Sequence, residues 1–438
     1  MKLIKAFQRT LFVLLKVTFI VALFLIFFYI YRPESLELQR GFNRVSAIIS
    51  STFIVVCYMM LRVYGGLSFG HASTREIVFS TVMATAITDA VTYIQFCIME
   101  KNVMSLWRLV VIFICQCVAT VILIKLGNDM YSGINPPKKL LIIHNDDEKC
   151  RLVIKKLESY RHRFEIMKVM KSGEEEMHRS IRSAGAVMMI DLAPETESYI
   201  CEYCYKRGKD VYLSPSIADI LVNSARHEMF DDVTMLRYKS KGLSFEQRFY
   251  KRACDLIICV PMAIILLPLM ILEAVAIKLE DGGKVFYKQE RTTIDGRVFN
   301  VLKFRTMVED AEKNGAVLAA KDDDRITKVG GFLRKTRLDE IPQLLNIIAG
   351  DMSIVGPRPE RQELNEEYEK GLPEFSYRLR VKAGLTGLAQ IEGNYNTSPK
   401  DKLTLDLMYI ENYSLKLDFK IMLRTLVVVF LPHKSDGV

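Results

Sequence analysis

The sequence predicts a multi-domain membrane protein: an N-terminal four-helix transmembrane bundle, a Rossmann-like α/β domain, and a C-terminal α/β monotopic domain that carries a re-entrant membrane helix. Three observations lead there. Four apolar stretches, at about 11–31, 45–64, 77–99 and 107–126, each approach the ~20 residues that a spanning helix needs. From about 138 to 236, short apolar runs alternate with amphipathic stretches, the pattern of strands and helices layered in a parallel sheet. A further apolar run, Leu256 to Leu272, is interrupted by Pro261 and Pro268 and would reach only ~25 Å against a ~30 Å hydrocarbon core.

Composition agrees. Half of the 438 residues are hydrophobic and the mean hydropathy is +0.14, which is high for a soluble chain. The net charge of +9 suits anionic lipid and anionic substrates. Nucleic acid is not expected as a partner, because the basic residues are interleaved with membrane-grade apolar segments. Nine scattered cysteines read as reduced thiols. Cys201-x-x-Cys204 has ligand spacing but no second pair, so zinc is not expected.

In chain order, residues 1–136 hold the four spans, and an even number returns the chain to its starting side. Lys2, Lys5 and Arg9 precede the first span while Arg32, Arg40 and Arg44 follow it, so charge bias does not orient the bundle. Lys16 and Asp89 fall inside spans; Lys16 is expected to snorkel and Asp89 to hydrogen-bond within the bundle. Residues 137–236 follow as strands KLLIIH, FEIMKVM, AVMMIDL and DVYLSP separated by helices near 147–160, 174–183 and 195–207. The first strand runs into HNDDE without a G-x-G-x-x-G turn, so a regulatory or structural role is expected of this domain rather than dinucleotide chemistry. Residues 237–438 form the third domain, with the re-entrant helix at about 253–279 broken near Pro268, so that Arg252 and Lys278 stay on the same side.

The most informative segment is RKTRLDEIPQLLNIIAGDMSIVGPRP, 334–359. Asp339 and Glu340 precede a helical run, Leu344, Leu345, Ile347 and Ile348, that ends at a C-cap, Gly350. Pro342 falls in its first turn, whose free amides and dipole predict an anion site beside Asp339. Adjacent acids are common on solvated helix faces; the basic neighbours set this pair apart. Pro357 and Pro359 fix the backbone around Arg358 and so aim its guanidinium. Val298–Met307 reads as a strand whose period of two puts Lys303 and Arg305 on one face, suited to two linked phosphates. Arg378, Arg380 and Lys382 form a second such row if YRLRVK is extended.

Several segments, KRACD (251–255), GGKVFYKQER (282–291), KFRTM (303–307), DDDRITKVG (322–330), TRLDEIPQLLNIIAGDMSIVGPRP (336–359), VKAGLTGLAQIEG (381–393) and LDLMYIENYSLKLDFKIM (405–422), resemble the catalytic domain of the bacterial sugar transferases, the monotopic phosphoglycosyl transferases. The likeness runs in unbroken order over roughly 245–432, and the whole chain is similar to the large members. It implies transfer of a sugar-1-phosphate from a UDP-sugar to polyprenyl (undecaprenyl) phosphate with release of UMP, the first membrane step of surface polysaccharide assembly. It also implies Mg²⁺ and a covalent aspartyl intermediate. Residue by residue, the likeness assigns Asp339 as nucleophile, Glu340 as Mg²⁺ ligand and Asp406 as a second metal or substrate contact. Lys303, Arg305, Arg358 and Arg380 would hold phosphates, and Leu267-Pro268 stands at the family's Ser-Pro helix break. The implied location is the bacterial inner membrane, multi-pass, with the catalytic domain on the cytoplasmic face where UDP-sugars are. Expected partners are the UDP-sugar, the polyprenyl phosphate, the lipid membrane and, as an option, a second copy in a homodimer. The rival readings are a glycosyltransferase that releases UDP and an inactive membrane scaffold or sensor.

Overall fold

The structure, a computed structural model, describes residues 2–35, 39, 43–70, 74–173, 175–238, 242–308, 323–393 and 397–429. The chain divides into two compact units, Met1–Ser214 and Pro215–Val438.

The first unit opens with four long helices, α1 (Lys2–Tyr31), α2 (Arg44–Tyr64), α3 (Thr74–Glu100) and α4 (Leu106–Ile134), all long and apolar enough to cross a membrane. They match the four apolar runs and extend past them, because the flanking polar residues also favour helix. Asn43 starts α2 by accepting from the Ser46 amide, and Gly65 ends it in the left-handed region, φ 81°. Inside, Leu23, Phe27, Phe53 and Phe96 are buried, with Phe27 and Phe53 ring centroids 5.6 Å apart. Val13, Val17, Ile114 and Val118 face outward, as lipid-facing side chains would. Asp89 is buried and accepts from Gln116 Nε2 at 3.2 Å, the intrabundle hydrogen bond expected of it.

Beyond the helices lies a parallel sheet in the order β2-β1-β3-β4, made of β1 (Lys138–His144), β2 (Phe164–Lys171), β3 (Ala186–Ile190) and β4 (Asp210–Leu213). Helices α5 (Asp147–Leu157), α6 (Met177–Ser183) and α7 (Pro194–Tyr205) connect them. Leu141 and Ile143 pack on α6 and α7, while Leu140 and Ile142 pack on the α5 side. Both faces are covered, which is why KLLIIH is continuously apolar rather than alternating. The HNDDE segment acts as a cap: Asp146 accepts from the amides of Glu148 and Lys149 and so occupies the helix start that a phosphate would otherwise use.

The sheet ends at β4, and the division between units lies at 214/215, earlier than the 236/237 boundary drawn from the sequence. The reason is packing. Helix α8 (Ile217–Asn223) buries Ile220 among Leu403, Leu407 and Ile410 of the second unit, and β5 (Arg226–Phe230) with β6 (Val233–Arg237) forms a separate antiparallel hairpin.

In the second unit α9 spans Phe245–Asp281, 37 residues, between a Ser244 capping box and Gly282 at φ 71°. It is continuous across Pro261 and Pro268, so the helix break expected at Pro268 is a proline inside a helix, and α9 is, like α1–α4, long and apolar enough to cross a membrane, unlike the short run expected from the sequence. Each proline removes one ladder bond, and the rest of the ladder carries through while both ends of the helix are anchored. Near its start, Lys251 donates to Asp418 Oδ2 (2.6 Å) and Tyr409 OH (3.0 Å), and Arg252 donates to the carbonyls of Ile347 (2.5 Å) and Ile348 (2.7 Å). Asp255 accepts from Ser353 Oγ (3.1 Å) and the Ile354 amide (3.0 Å). Towards its end Met270 and Ile277 pack with Phe304 and Leu333. Between these anchors Ile264, Ile265, Leu267 and Leu272 are exposed.

An antiparallel hairpin, β7 (Phe286–Thr292) and β8 (Val298–Phe304), follows α9. Then come α10 (Lys328–Thr336), α11 (Gln343–Ala349), β9 (Ser353–Val355), α12 (Gln362–Gly371), β10 (Gly384–Thr386), α13 (Leu388–Glu392), α14 (Pro399–Glu411) and α15 (Leu415–Val429). Strands β9 and β10 pair in parallel.

Candidate functional site

The acidic pair sits where α10 ends. Arg337 adopts the left-handed conformation, φ 60°, and turns the chain into a 3₁₀ turn over Leu338–Glu340 before α11 starts. Leu338 and Ile341 pack on the cluster of Met270, Ile277, Phe304 and Leu333, which draws the turn inward and leaves Asp339 only 8% exposed. The amides of Glu340, Ile341, Leu344 and Leu345 donate to the carbonyls of Arg337, Leu338, Ile341 and Pro342, respectively. Those four amides are therefore spent within the chain, and side-chain cations add positive charge beside Asp339.

Asn346 fixes the pair against β8: its side chain accepts from the Leu302 amide (2.9 Å) and donates to the Asn300 carbonyl (2.8 Å). That lock brings Lys303 to Glu340, with Nζ 2.7 Å from Oε1, and Arg358 Nη2 lies 3.3 Å from the same oxygen. Arg334 and Arg337 add positive charge around Asp339, and Arg334 Nε is oriented by Thr306 Oγ1 at 2.8 Å. Sequence reasoning missed Asn346, Arg334 and Arg337 as members. A polar residue inside the apolar run LLNII was the one available hint of Asn346.

Two adjacent carboxyls thus meet opposite fields. Burial, reinforced by Glu340, holds Asp339 above the usual carboxylate range against the pull of Lys303, Arg334 and Arg337. Burial would raise Glu340 too, but Lys303 and Arg358 outweigh it and hold that carboxyl far below its usual range. Glu340 is the settled anion, and Asp339 is the more reactive one.

The Arg358 turn is built for rigidity. Arg378 Nη2 donates to the Arg358 carbonyl (2.8 Å) and Arg291 Nη1 to the Pro359 carbonyl (3.2 Å), so one buried and one half-buried guanidinium hold the backbone while the Arg358 side chain is left for Glu340. Gly356 and Gly384 pass so closely that a Cβ on Gly384 would lie 2.1 Å from the Gly356 nitrogen.

The structure separates the other expected members from this pair. Strand β8 ends at Phe304, and Arg305 pairs with Asp281 at the end of α9, packed where a Cβ on Gly283 would fall 1.9 Å from its Nη1. YRLRVK is not extended: Pro373–Arg380 is a 3₁₀ helix anchored by buried Phe375. Arg380 faces Glu411 (3.6 Å) and the Tyr377 ring (4.6 Å), and Lys382 donates to the Gly350 carbonyl (2.7 Å). Asp406 is buried against Arg378, 3.0 Å from Nε and 2.9 Å from Nη2, and acts as a structural partner of the arginine behind the turn instead of joining Glu340. Among the described residues no group of three or more His, Cys, Asp or Glu side chains could hold a metal ion. Both cations on Glu340 contact Oε1, and Oε2 has no side-chain or backbone partner among the described residues.

Such an arrangement, a buried carboxylate beside fixed cations, can attack an electrophilic centre carried by an anionic substrate. The model of the bacterial sugar transferase family matches residues 246–432. A UDP-N-acetylgalactosamine-undecaprenyl-phosphate N-acetylgalactosaminephosphotransferase of Aeromonas hydrophila is 39% identical over 239 residues, 54% of this chain and 56% of that protein. A UDP-glucose:undecaprenyl-phosphate glucose-1-phosphate transferase of Xanthomonas campestris pv. campestris is 37% identical over 228 residues, 50% of this chain and 47% of that protein. The alignment to each of these two thus spans about half of the relative's length. The exopolysaccharide production protein ExoY of Sinorhizobium fredii is 40% identical over 200 residues, 42% of this chain and 87% of that protein.

Proposed function

The chain belongs to the bacterial sugar transferase family, and we propose that it transfers a sugar-1-phosphate from a UDP-sugar to polyprenyl (undecaprenyl) phosphate. The products are UMP and a polyprenyl-diphospho-sugar, the starting lipid of a surface polysaccharide or glycoconjugate. The observation that carries the reading is the buried Asp339 beside Glu340, with Lys303 and Arg358 fixed on one oxygen of Glu340. A diphosphate repels an incoming phosphate, so direct attack of one anion on another is slow; an enzyme carboxylate divides it into two displacements. Asp339 attacks the sugar-linked phosphorus and UMP leaves with the bonding pair. The lipid phosphate oxygen then attacks the same phosphorus, and Asp339 departs as carboxylate. The sugar's own anomeric bond is untouched throughout.

Mg²⁺ fits the residues present. Such ions use one or two carboxylates together with substrate phosphates, and Glu340 keeps Oε2 clear of its two cation partners. When bound there, Mg²⁺ would offset diphosphate charge. Lys303 and Arg358 hold Glu340 ionised and close to hand, while Arg334 and Arg337 receive phosphate charge on the Asp339 side.

The membrane arrangement follows from α9. Both its Lys251–Asp255 end and its Met270–Ile277 end pack on the same domain, while Ile264, Ile265 and Leu267 between them are exposed. This supports a monotopic insertion of α9 as an unbroken helix whose exposed middle meets the lipid, in place of the re-entrant turn expected from the sequence, with α1–α4 spanning and the catalytic domain on the cytoplasmic face of the inner membrane. Single cysteines at positions 246 and 284, in a cysteine-free background, are expected to resist an impermeant thiol reagent outside intact cells, and labelling at 284 alone would mean a crossing. The parallel α/β domain, its helix start already capped by Asp146, is assigned a regulatory or assembly role.

Purified protein incubated with a panel of UDP-sugars and undecaprenyl phosphate is expected to release UMP with one of them. UDP as the nucleotide product would instead identify a glycosyltransferase, and no turnover with any sugar would favour a scaffold.

A further inference from the structure

One carboxyl near the site has no task in that scheme. Glu273 lies on α9 and is 3% exposed, and neither of its carboxyl oxygens has a hydrogen-bond partner among the described residues. Its neighbours three back and four ahead, Met270 and Ile277, pack on Phe304 and Leu333 together with Leu338 and Ile341, the residues that bracket the acidic pair. Glu273 is therefore held on the face of α9 that meets the Asp339 turn, and Asp339 is the charged group that acts on it. Lys303, Arg334 and Arg337 act on Asp339; no cation pairs with Glu273. Leucine would fill this apolar position without any cost of burying a polar group, so a carboxyl here is retained against packing.

We propose that Glu273, as a neutral carboxylic acid, is the hydrogen-bond donor that stabilises Asp339 as the leaving group of the second displacement. An enclosed carboxyl without a cation and beside an anion keeps its proton and has one O–H to give. In the step itself, an oxygen of the acceptor lipid's phosphate forms a bond to the phosphorus of the Asp339 adduct. The bond from that phosphorus to the Asp339 oxygen breaks, and its electron pair returns to Asp339. Glu273 keeps its proton and donates a hydrogen bond to the oxygen that gains the charge. In the first displacement the same bond would only quieten the nucleophile, so its effect separates the two halves. The inference rests on the covalent reading proposed above.

The two halves are measured apart on the full-length protein: adduct formation and UMP burst with UDP-sugar alone, then decay of the adduct on adding undecaprenyl phosphate. Glu273→Leu is expected to form the adduct at least as fast as the parent, to accumulate it, and to discharge it about 100-fold more slowly, the size of one lost transition-state donor. Glu273→Gln keeps an N–H donor and is expected to discharge within roughly tenfold of the parent. Thermal unfolding of Glu273→Leu should be no earlier than that of the parent. The inference is overturned if Glu273→Leu discharges normally, if both half-reactions fall together, or if Glu273→Gln is as slow as Glu273→Leu. Absence of any adduct in the parent enzyme would overturn the covalent reading first, and this inference with it.

Discussion

Replacing Asp339 by asparagine is expected to abolish both the adduct and turnover, by at least roughly 10⁴-fold, since an amide nearly matches the carboxylate in shape but is a poor nucleophile. With UDP-sugar and Mg²⁺ but no polyprenyl phosphate, the parent should release at most about one UMP per active site and become a phosphosugar adduct. Intact-protein mass spectrometry with peptide mapping reads this directly. Folding should survive the change. Burial and Glu340 hold the Asp339 carboxyl above its ordinary range, so its ionised form is less favourable in the fold than in the unfolded chain, and removing that charge costs no stability at neutral pH. The same shift gives a pH signature. Activity needs ionised Asp339 and should fall as pH drops through its raised value, while Glu340, held far lower by Lys303 and Arg358, stays ionised. An adduct on another residue, or persistent turnover in Asp339→Asn, would remove Asp339 from this role. An active enzyme that never forms an adduct would favour direct attack by the lipid phosphate.

What was legible in the sequence depended on range. The four helices and the parallel sheet left periodic or continuous apolar runs because burial is set locally, by a lipid face or by helices on both sides of a strand. The acidic pair, Lys303 and Arg358 could be singled out from the helix start, the proline-bracketed turn and the strand period, and the structure brings Lys303 and Arg358 to Glu340 through Asn346 and the Arg378-held turn. The expected members that lie apart from the pair share a cause. Arg305 leaves its strand for Asp281, Arg380 goes to Glu411 and Asp406 goes to Arg378, and each is a pairing between distant segments that no local period records. YRLRVK alternates like a strand, yet Phe375 anchors it as a 3₁₀ helix in a core that only the folded chain assembles. The unit boundary was drawn late for the same reason, since α8 is claimed by Leu403, Leu407 and Ile410, almost two hundred residues further on.

Asp406 offers the sharpest test of that lesson, because resemblance suggested a metal or substrate contact and the fold gives it a structural partner. Asp406 is 1% and Arg378 2% exposed. Burial pushes the Asp406 carboxyl up, and Arg378, with Lys402, pulls it back, so the pair persists because each charge needs the other. Asp406→Asn leaves the Arg378 guanidinium enclosed without its full counter-charge and is expected to cost about 3 kcal/mol or more of stability. Arg378 also holds the Arg358 carbonyl, so activity should fall through a loosened turn, without any change in the Mg²⁺ concentration that half-saturates the enzyme still folded. Replacing both partners by apolar residues, Arg378→Met with Asp406→Leu, should recover much of the lost stability, since an apolar pair of similar volume is often no worse than a buried ion pair. Activity should not return with it, because methionine cannot donate to the Arg358 carbonyl. Unfolding followed in detergent, alongside Mg²⁺ titrations of UMP release, separates these outcomes. A stably folded Asp406→Asn enzyme that needs far more Mg²⁺ would return Asp406 to the metal site and make the Arg378 contact incidental.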